Sequence, residues 1–299
     1  MSGLADHLEG WAPGPAEWTD RVTGWSVGAF ADLLDQPDPL AAGDPVVPPM
    51  WHWLGFLPHP AQSALGADGH PAAGHFLPPL PHRRRMFAGA RWTERRPLPV
   101  DTPVGCRSEI TSTRVTSGRS GEMAFVTVRT AFTVAGVEAA TEEQDIVYRS
   151  QPDPEPGTAA PARAAAPDTP ERPEGPPPGE HRVTLTPDET LLFRFSALTY
   201  NAHRIHYDHP YATGVEGYPG LVVHGPLLAL LALEVPRRHA AARVTEFAYR
   251  LTRPAFAHRP LLAWSEPADA AGRVALACSA GAAEPSLTGT AGPGATGGS

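Results

Sequence analysis

The chain contains no lysine: all 24 of its basic side chains are arginine, set against 32 acidic ones for a formal charge of −8 over 299 residues. No long basic stripe interrupts this mild acidity, so nucleic acid is not expected as a partner. Cysteine is nearly as scarce. Cys106 and Cys278 lie far apart in no CxxC pair, which excludes a disulfide framework and a thiolate metal site. No run approaches the roughly 20 apolar residues of a membrane span. The opening MSGLADHLEGWAPG also lacks the basic start and apolar core of a signal peptide. Together these absences predict a cytoplasmic protein with no membrane partner.

Proline and glycine are plentiful, 36 and 29 residues, and they hold the apolar fraction to 41%. A chain of this length can bury the core of one large or two medium domains. Between Trp18 and Leu34, Val27, Phe30, Ala31 and Leu34 recur at helical spacing, with Ser26 placed to cap and Pro37 and Pro39 to end the helix. The aromatic-rich VVPPMWHWLGF (46–56) reads as a buried helix entered through Pro48 and Pro49. Residues 57–81, rich in Pro, Gly and His, are a loop long enough to cover something or to move. From Arg91 onward, SEITSTRVTS, EMAFVTVRTAFTV and TEEQDIVYRS are rich in Val, Thr, Ile and Phe, with turns at Ser117-Gly118 and Gly136. They predict an antiparallel sheet of long strands.

Residues 151–180 have almost no large apolar side chain and read as an extended linker. Beyond them, HRVTLTPDETLLFRFSAL gives a strand and a short helix starting at Thr186-Pro187. LLALLALEV (227–235) is apolar nearly all round and reads as a helix buried in a sheet's concave face. VTEFAYRLTRPAF, RPLLAWSEP and GRVALACSA read as strands, and the Gly/Ala/Thr/Pro-rich residues 284–299 as a disordered tail. The plan is α+β, with units 1–150 and 181–283 on either side of the linker.

One stretch carries the chemistry. NAHRIHYDHPYA (201–212) holds three histidines, an asparagine, an aspartate and two tyrosines. A Tyr218-Pro219-Gly220 turn follows, and then His224-Gly225 opens onto the apolar helix. Proton-carrying side chains concentrated beside apolar core mark a candidate active site. HRIHYDH offers neither HExxH nor a two-His-one-carboxylate spacing, so no metal is expected. No GxSxG elbow or activated cysteine accompanies the histidines. General acid–base catalysis by one histidine is the enzymatic reading that remains.

These residues resemble the second signature of the MaoC-like (R)-specific enoyl-CoA hydratases, roughly D-x-N-P-[IL]-H-x-D-x-x-[YF]-A. His206 matches the catalytic histidine, Ile205 the apolar residue before it, Asp208 the acid after it, and Tyr211-Ala212 the closing pair. Val222 to Gly225 match the [IV]-x-H-G that opens the central helix. The longer string from SALTYNAHRIHYDHPYAT to EGYPGLVVHGPL resembles the two-domain hydroxyacyl-thioester dehydratase type 2 branch, which includes mesaconyl-C4-CoA hydratase. LPPLPHRRRMFAGARW resembles that branch's N-terminal domain. One departure bears on mechanism. Asn201 stands where the signature has Asp, and His203 where it has Asn, and an amide cannot exchange a proton.

The resemblance implies a double hot-dog, two antiparallel sheets each wrapped round a central helix. It also implies reversible addition of water to an enoyl-CoA, either a mesaconyl-type dicarboxylic acyl-CoA or an (R)-3-hydroxyacyl thioester. Its CoA belongs to the substrate, no other cofactor is implied, and a homodimer is compatible with it. Under this reading His206 is the acid/base and Asn201 positions water or hydroxyl. The N–H of Gly225, at a helix start, faces the thioester oxygen. Tyr200, His203, Asp208, Tyr211, Tyr218, Pro219, Gly220, Val223, His224 and Arg85 are the candidate substrate-binding residues. Asp208 reads equally as a cap, and Arg83-Arg84-Arg85 either as a phosphate grip or as a solvated charge run. The N-terminal half has no counterpart of NAHRIHYDH and is expected to be catalytically silent, shaping the acyl pocket. Two other readings stay open. A hot-dog thioesterase would place a carboxylate on the central helix, where only Glu234 is available. A non-catalytic acyl-thioester binding subunit would leave His206 idle.

Overall fold

The structure, a computed structural model, describes residues 3–43, 45–80, 83–118, 121–150, 181–239, 243–281 and 284–294. The segment 151–180 read as a linker lies outside them, as do residues 295–299. In chain order, α1 (Leu4–Leu8), β1 (Ala16–Asp20) and α2 (Gly24–Leu33) precede a 3-10 turn at Trp51–Leu54. Four strands follow: β2 (Arg83–Glu94), β3 (Val104–Gly118), β4 (Gly121–Val134) and β5 (Val137–Ser150). The second half holds β6 (His181–Leu185), α3 (Glu189–Leu198), α4 (His209–Gly214) and α5 (Gly225–His239). It closes with β7 (Glu246–Leu251), β8 (Leu261–Ser265), β9 (Val274–Ser279) and β10 (Leu287–Gly292).

The Val- and Thr-rich segments become the long strands expected of β-branched residues. All strands pair antiparallel in the order β1-β3-β4-β5-β2-β7-β10-β9-β8-β6. This is the α+β double hot-dog, with one correction. The two sheets are a single ten-stranded sheet, because β2 pairs with β7 from Gly89↔Arg250 to Thr93↔Glu246. Each strand would otherwise present an unpaired edge, and the seam satisfies both.

The sheet of the second half curves round α5, which touches β6, β8, β9 and β10. Every residue from Leu227 to Pro236 is buried, and each buried leucine contributes roughly 1.5–3 kcal/mol. Arg237, Arg238 and His239 in the last turn complement the negative end of the helix dipole. The first half holds shorter pieces in the corresponding place, α2 and the Trp51 turn, with Phe30 edge-on to Trp51 at 4.7 Å. Phe30 also meets Phe195 of α3 at 5.9 Å, and one apolar core runs through both halves. A second core under α1 joins Leu4 and Leu80 to Ala124, Val126, Ile146 and Tyr148. Among the described residues, no helix is long and apolar enough to cross a membrane.

Other boundaries differ from expectation. Residues 16–20, placed partly within a helix, form an edge strand, and the helix starts at Gly24 with Thr23 rather than Ser26 as its cap; Thr23 accepts the Ser26 N–H at 3.1 Å. The 46–56 segment yields only a 3-10 turn, since Met50 just before it lies at φ 66. Asp188 caps α3 by accepting the Leu191 N–H at 2.8 Å. The expected tail contains β10, paired with β7 and β9, with Leu287 and Ala291 buried. Its Gly- and Ala-rich composition conceals a strand held on both edges by ladder hydrogen bonds.

Candidate active site

The histidine-rich stretch folds as a chain of local caps. After α3 the Asn201 side chain accepts the His203 N–H at 3.0 Å, an Asx turn that launches the 3-10 turn Arg204–His206. Asp208 then caps α4, accepting the Tyr211 N–H at 3.1 Å, while its other oxygen binds the Arg204 guanidinium at 2.7 Å. That guanidinium, with the Tyr211 N–H, holds the Asp208 carboxyl below its ordinary value. The return segment is pinned by Val222 N–H to Ile205 O at 2.9 Å and Val223 N–H to Ala255 O at 2.8 Å. It delivers His224 and Gly225 to the start of α5.

His206 is buried, and its Nδ1 lies 2.7 Å from the Val222 carbonyl oxygen. A carbonyl can only accept, so Nδ1 carries a proton; in the neutral ring Nε2 is then the lone-pair nitrogen. Burial pushes the His206 imidazole down to about 4, although the Val222 carbonyl pulls the other way. The ring stacks on His224 at 3.6 Å, and His224 Nε2 lies 2.8 Å from Ser196 Oγ. His224 is fully buried, which holds it well below its ordinary value and neutral. These contacts fix the His206 ring in one position.

A cavity of about 480 Å³ opens beside it. Of the sequence candidates, Asn201, His203, His206, Tyr218, Val223, Gly225 and Arg85 line this cavity. Gly225 is the first residue of α5, so its N–H has no intrahelical acceptor. A Cβ at that position would come within 2.5 Å of Leu251 Cδ1 and narrow the space. Phe87, Leu251 and Ala255 supply apolar wall.

The other substrate-binding candidates lie elsewhere. Tyr200 is 62% exposed on the turn after α3. Asp208 is consumed by its cap and by Arg204. Tyr211 is buried beneath the Arg204 guanidinium, 4.0 Å from its ring centre. Pro219 is exposed and, with Gly220, outside the cavity wall. His224 lies beneath His206 rather than beside it. In each case the backbone path, not the residue type, decides which side the group serves.

Sequence reasoning missed the residues that the 57–81 loop brings in. Asp68 and His70 line the cavity, with Asp68 Oδ2 3.0 Å from His70 Nδ1 and the His70 ring 4.0 Å from that of His203. Burial would raise Asp68, but the bonds from His70 outweigh it and hold the carboxyl below its ordinary value. Burial, then His70, holds His203 far below its own, so it stays neutral. Donor atoms of Asp68, His70 and His203 fall within 4.8 Å of one another. Both Asp68 oxygens already bind His70, at its N–H and its Nδ1. The group thus sets a carboxylate–imidazole pair, Asp68 and His70, beside a second imidazole, His203. The Pro/Gly/His richness of the loop was the signal available. Arg84, ion-paired to Glu216, lines the cavity as well.

An imidazole lone pair, a free helix-start amide and an apolar wall in one cavity suit proton transfer on a substrate that develops oxygen charge. Comparison with known proteins agrees. Residues 50–257 match the family model for hydroxyacyl-thioester dehydratase type 2. The chain is 46% identical over 241 residues to mesaconyl-C(4)-CoA hydratase of Chloroflexus aurantiacus, covering 80% of this chain and 81% of that one. Its fold resembles a MaoC-like dehydratase from Phytophthora capsici, with TM-score 0.67, 13% identity, and 97% and 98% of the two chains covered. It also resembles a double-hot-dog protein of Mycobacterium tuberculosis, with TM-score 0.55, 17% identity and 97% of each chain covered. The chain belongs to the hydroxyacyl-thioester dehydratase type 2 family, hydro-lyases built on the MaoC-like double hot-dog.

Proposed function

We propose that the protein reversibly adds water across the α,β double bond of an acyl-CoA thioester, with His206 as the base. The observation that carries this is the pinned His206 ring, its Nδ1 held by Val222 and its ring lining the same cavity as the first amide of α5. Nε2 takes a proton from water as the oxygen bonds to Cβ. The displaced π electrons move to the thioester oxygen, where the Gly225 N–H stabilises them. A proton is then returned to Cα. Asn201, fixed by the His203 N–H, orients the attacking water through its amide. No cofactor is invoked, since CoA enters with the substrate and His206 takes the proton from water.

Arg85 at the cavity wall binds a CoA phosphate. The volume of about 480 Å³ lies in the ordinary range for small-molecule sites. The substrate assigned first is a mesaconyl-type C4-dicarboxylic acyl-CoA, supported by the likeness to the Chloroflexus hydratase; a medium-chain (R)-3-hydroxyacyl thioester is the second choice. The thioesterase reading loses its support. Glu234, the carboxylate available on the central helix, is fully buried, ion-paired to Arg237 and Arg238, and not part of the cavity wall.

The test is absorbance of the enoyl-thioester conjugation, wild type against His206→Gln, with mesaconyl-C4-CoA and crotonyl-CoA in parallel. The conjugation signal falls with the wild type, faster with the dicarboxylic substrate, and the variant is at least about 100-fold slower. Near wild-type rates for the variant would remove His206 from the mechanism. Release of free thiol in step with the loss of signal would establish a thioesterase.

A further inference from the structure

His206 can start the addition, but the proton needed at Cα must come from somewhere, and Asn201 has none to give. The His206 ring is held by Val222 on its edge and by His224 on its face, so its Nε2 faces one direction. A second proton-carrying pair lines the same cavity, and it comes from the half of the chain expected to be silent.

Residues 66–72 form a tight loop, closed by Gly66 N–H to His70 O at 2.7 Å and Ala72 N–H to Ala64 O at 2.8 Å. It is docked on the histidine-rich stretch by Arg204 N–H to Asp68 O at 2.9 Å and Arg204 Nη1 to Ala67 O at 3.0 Å. Gly69 packs directly on the Ala202–His203 backbone. The Asp68 carboxylate, 3.0 Å from His70 Nδ1, fixes the ring so that Nε2 is the nitrogen left for other partners. His203 stands between the two catalytic candidates, its ring 4.0 Å from His70 and 5.4 Å from His206.

We propose that His70, oriented by Asp68, is the second acid–base group of this site and delivers the proton to Cα. The proposal rests on the hydration reading above. Once His206 has taken a proton from water and the hydroxyl oxygen has bonded to Cβ, the electron pair held on the thioester oxygen returns through Cα. That pair forms the new Cα–H bond with the Nε2 proton of the His70 imidazolium, whose charge Asp68 balances. His206 then releases its proton to solvent and His70 takes one back, so the net change is one water added. Asp68 is a positioning residue; His70 is the catalytic one.

The experiment compares wild type, His70→Gln, Asp68→Asn and His206→Gln in the full-length protein. Hydration rates are measured alongside wash-in of solvent deuterium at Cα of the hydrated product, and folding is checked by circular dichroism and thermal melting. His70→Gln lowers kcat at least about 100-fold with KM within roughly threefold, and slows deuterium wash-in equally. Asp68→Asn, nearly isosteric, lowers both about tenfold without moving KM. Wild-type kcat and wash-in for His70→Gln, with His206→Gln inactive, would overturn the proposal and leave the His206 reading intact. A fully active His206→Gln would instead remove the reading on which it rests. Loss of wild-type activity in EDTA with recovery on adding zinc would also overturn it, since the Asp68 group would then be holding an ion.

Discussion

Gly69→Ala is the sharpest perturbation of the docked loop. Gly69 lies at φ 89, and a Cβ there would fall 1.8 Å from the Ala202 carbonyl oxygen and 2.8 Å from its carbon. Both obstacles are backbone, so no rotamer relieves them. Positive φ costs an alanine about 1 kcal/mol. Relief of the clash requires the loop to withdraw, which breaks the Asp68 and Ala67 carbonyl bonds to Arg204. At about 1 kcal/mol each, these bring the loss to about 3 kcal/mol, or a docked population lower by about two powers of ten. Since His70 leaves with the loop, kcat/KM falls by a similar factor. The apolar core is untouched, so global unfolding changes by no more than the same amount.

The assay pairs denaturant unfolding and kcat/KM with hydrogen exchange at residues 66–72. Gly136→Ala is the control: it shares the positive φ, 78, but nothing lies within 4 Å of its added Cβ. It loses about 1 kcal/mol and no activity. If the two variants matched in stability, activity and exchange, the loop would not rest on Ala202 and the reasoning would fail.

Two further outcomes follow from the buried polar groups. Burial holds His203, His206 and His224 below their ordinary values, so the folded state binds fewer protons than the unfolded one. Stability must therefore rise with pH across that window and be lost as pH falls through it; for His206 the window runs from 6.5 to about 4 and carries about 3 kcal/mol. Urea unfolding measured from pH 7 to pH 4 shows this slope, and a flat profile would mean that the imidazoles reach solvent. Glu142 accepts from Trp53 Nε1 at 2.9 Å and Gln144 Nε2 at 3.0 Å, and pairs with His52 Nε2 at 2.8 Å. Glu142→Leu strands the buried His52 at about 1–3 kcal/mol, and leaves the half-buried Trp53 and Gln144 donors without their partner. It should lower the melting temperature sharply and leave kcat within about threefold, because Glu142 lines no part of the cavity.

What was legible in the sequence was local. The caps and turns of residues 201–225 are set by neighbours a few positions away, so their pattern singled out the stretch that lines the cavity, and the apolar run exposed α5. Long-range pairing left no such mark. That β2 would join β7 depends on two edges meeting, and nothing in either strand names its partner. Loop 57–81 was recognisable as long enough to cover something or to move, but that it would set Asp68 and His70 against His203 depends on Gly69 fitting the 202–203 backbone, a contact between distant segments. Tyr200 and Tyr211 carried the right chemistry on the wrong side of the chain, and β10 was hidden by small residues whose order comes from their neighbours' hydrogen bonds.

Asn201 and the Asp68–His70 loop are two sides of one arrangement. An amide at 201 performs the local task there, holding the His203 N–H, as well as a carboxylate would, so losing the carboxylate costs the turn nothing. It removes only a proton carrier, and the loop restores one from the other half. A second half without residues 1–150 would keep the pinned His206 and the Gly225 amide. It would also expose the β7 edge and lose Asp68, His70 and Arg85 together. The N-terminal half is therefore held to the site by chemistry as well as by the β2–β7 seam.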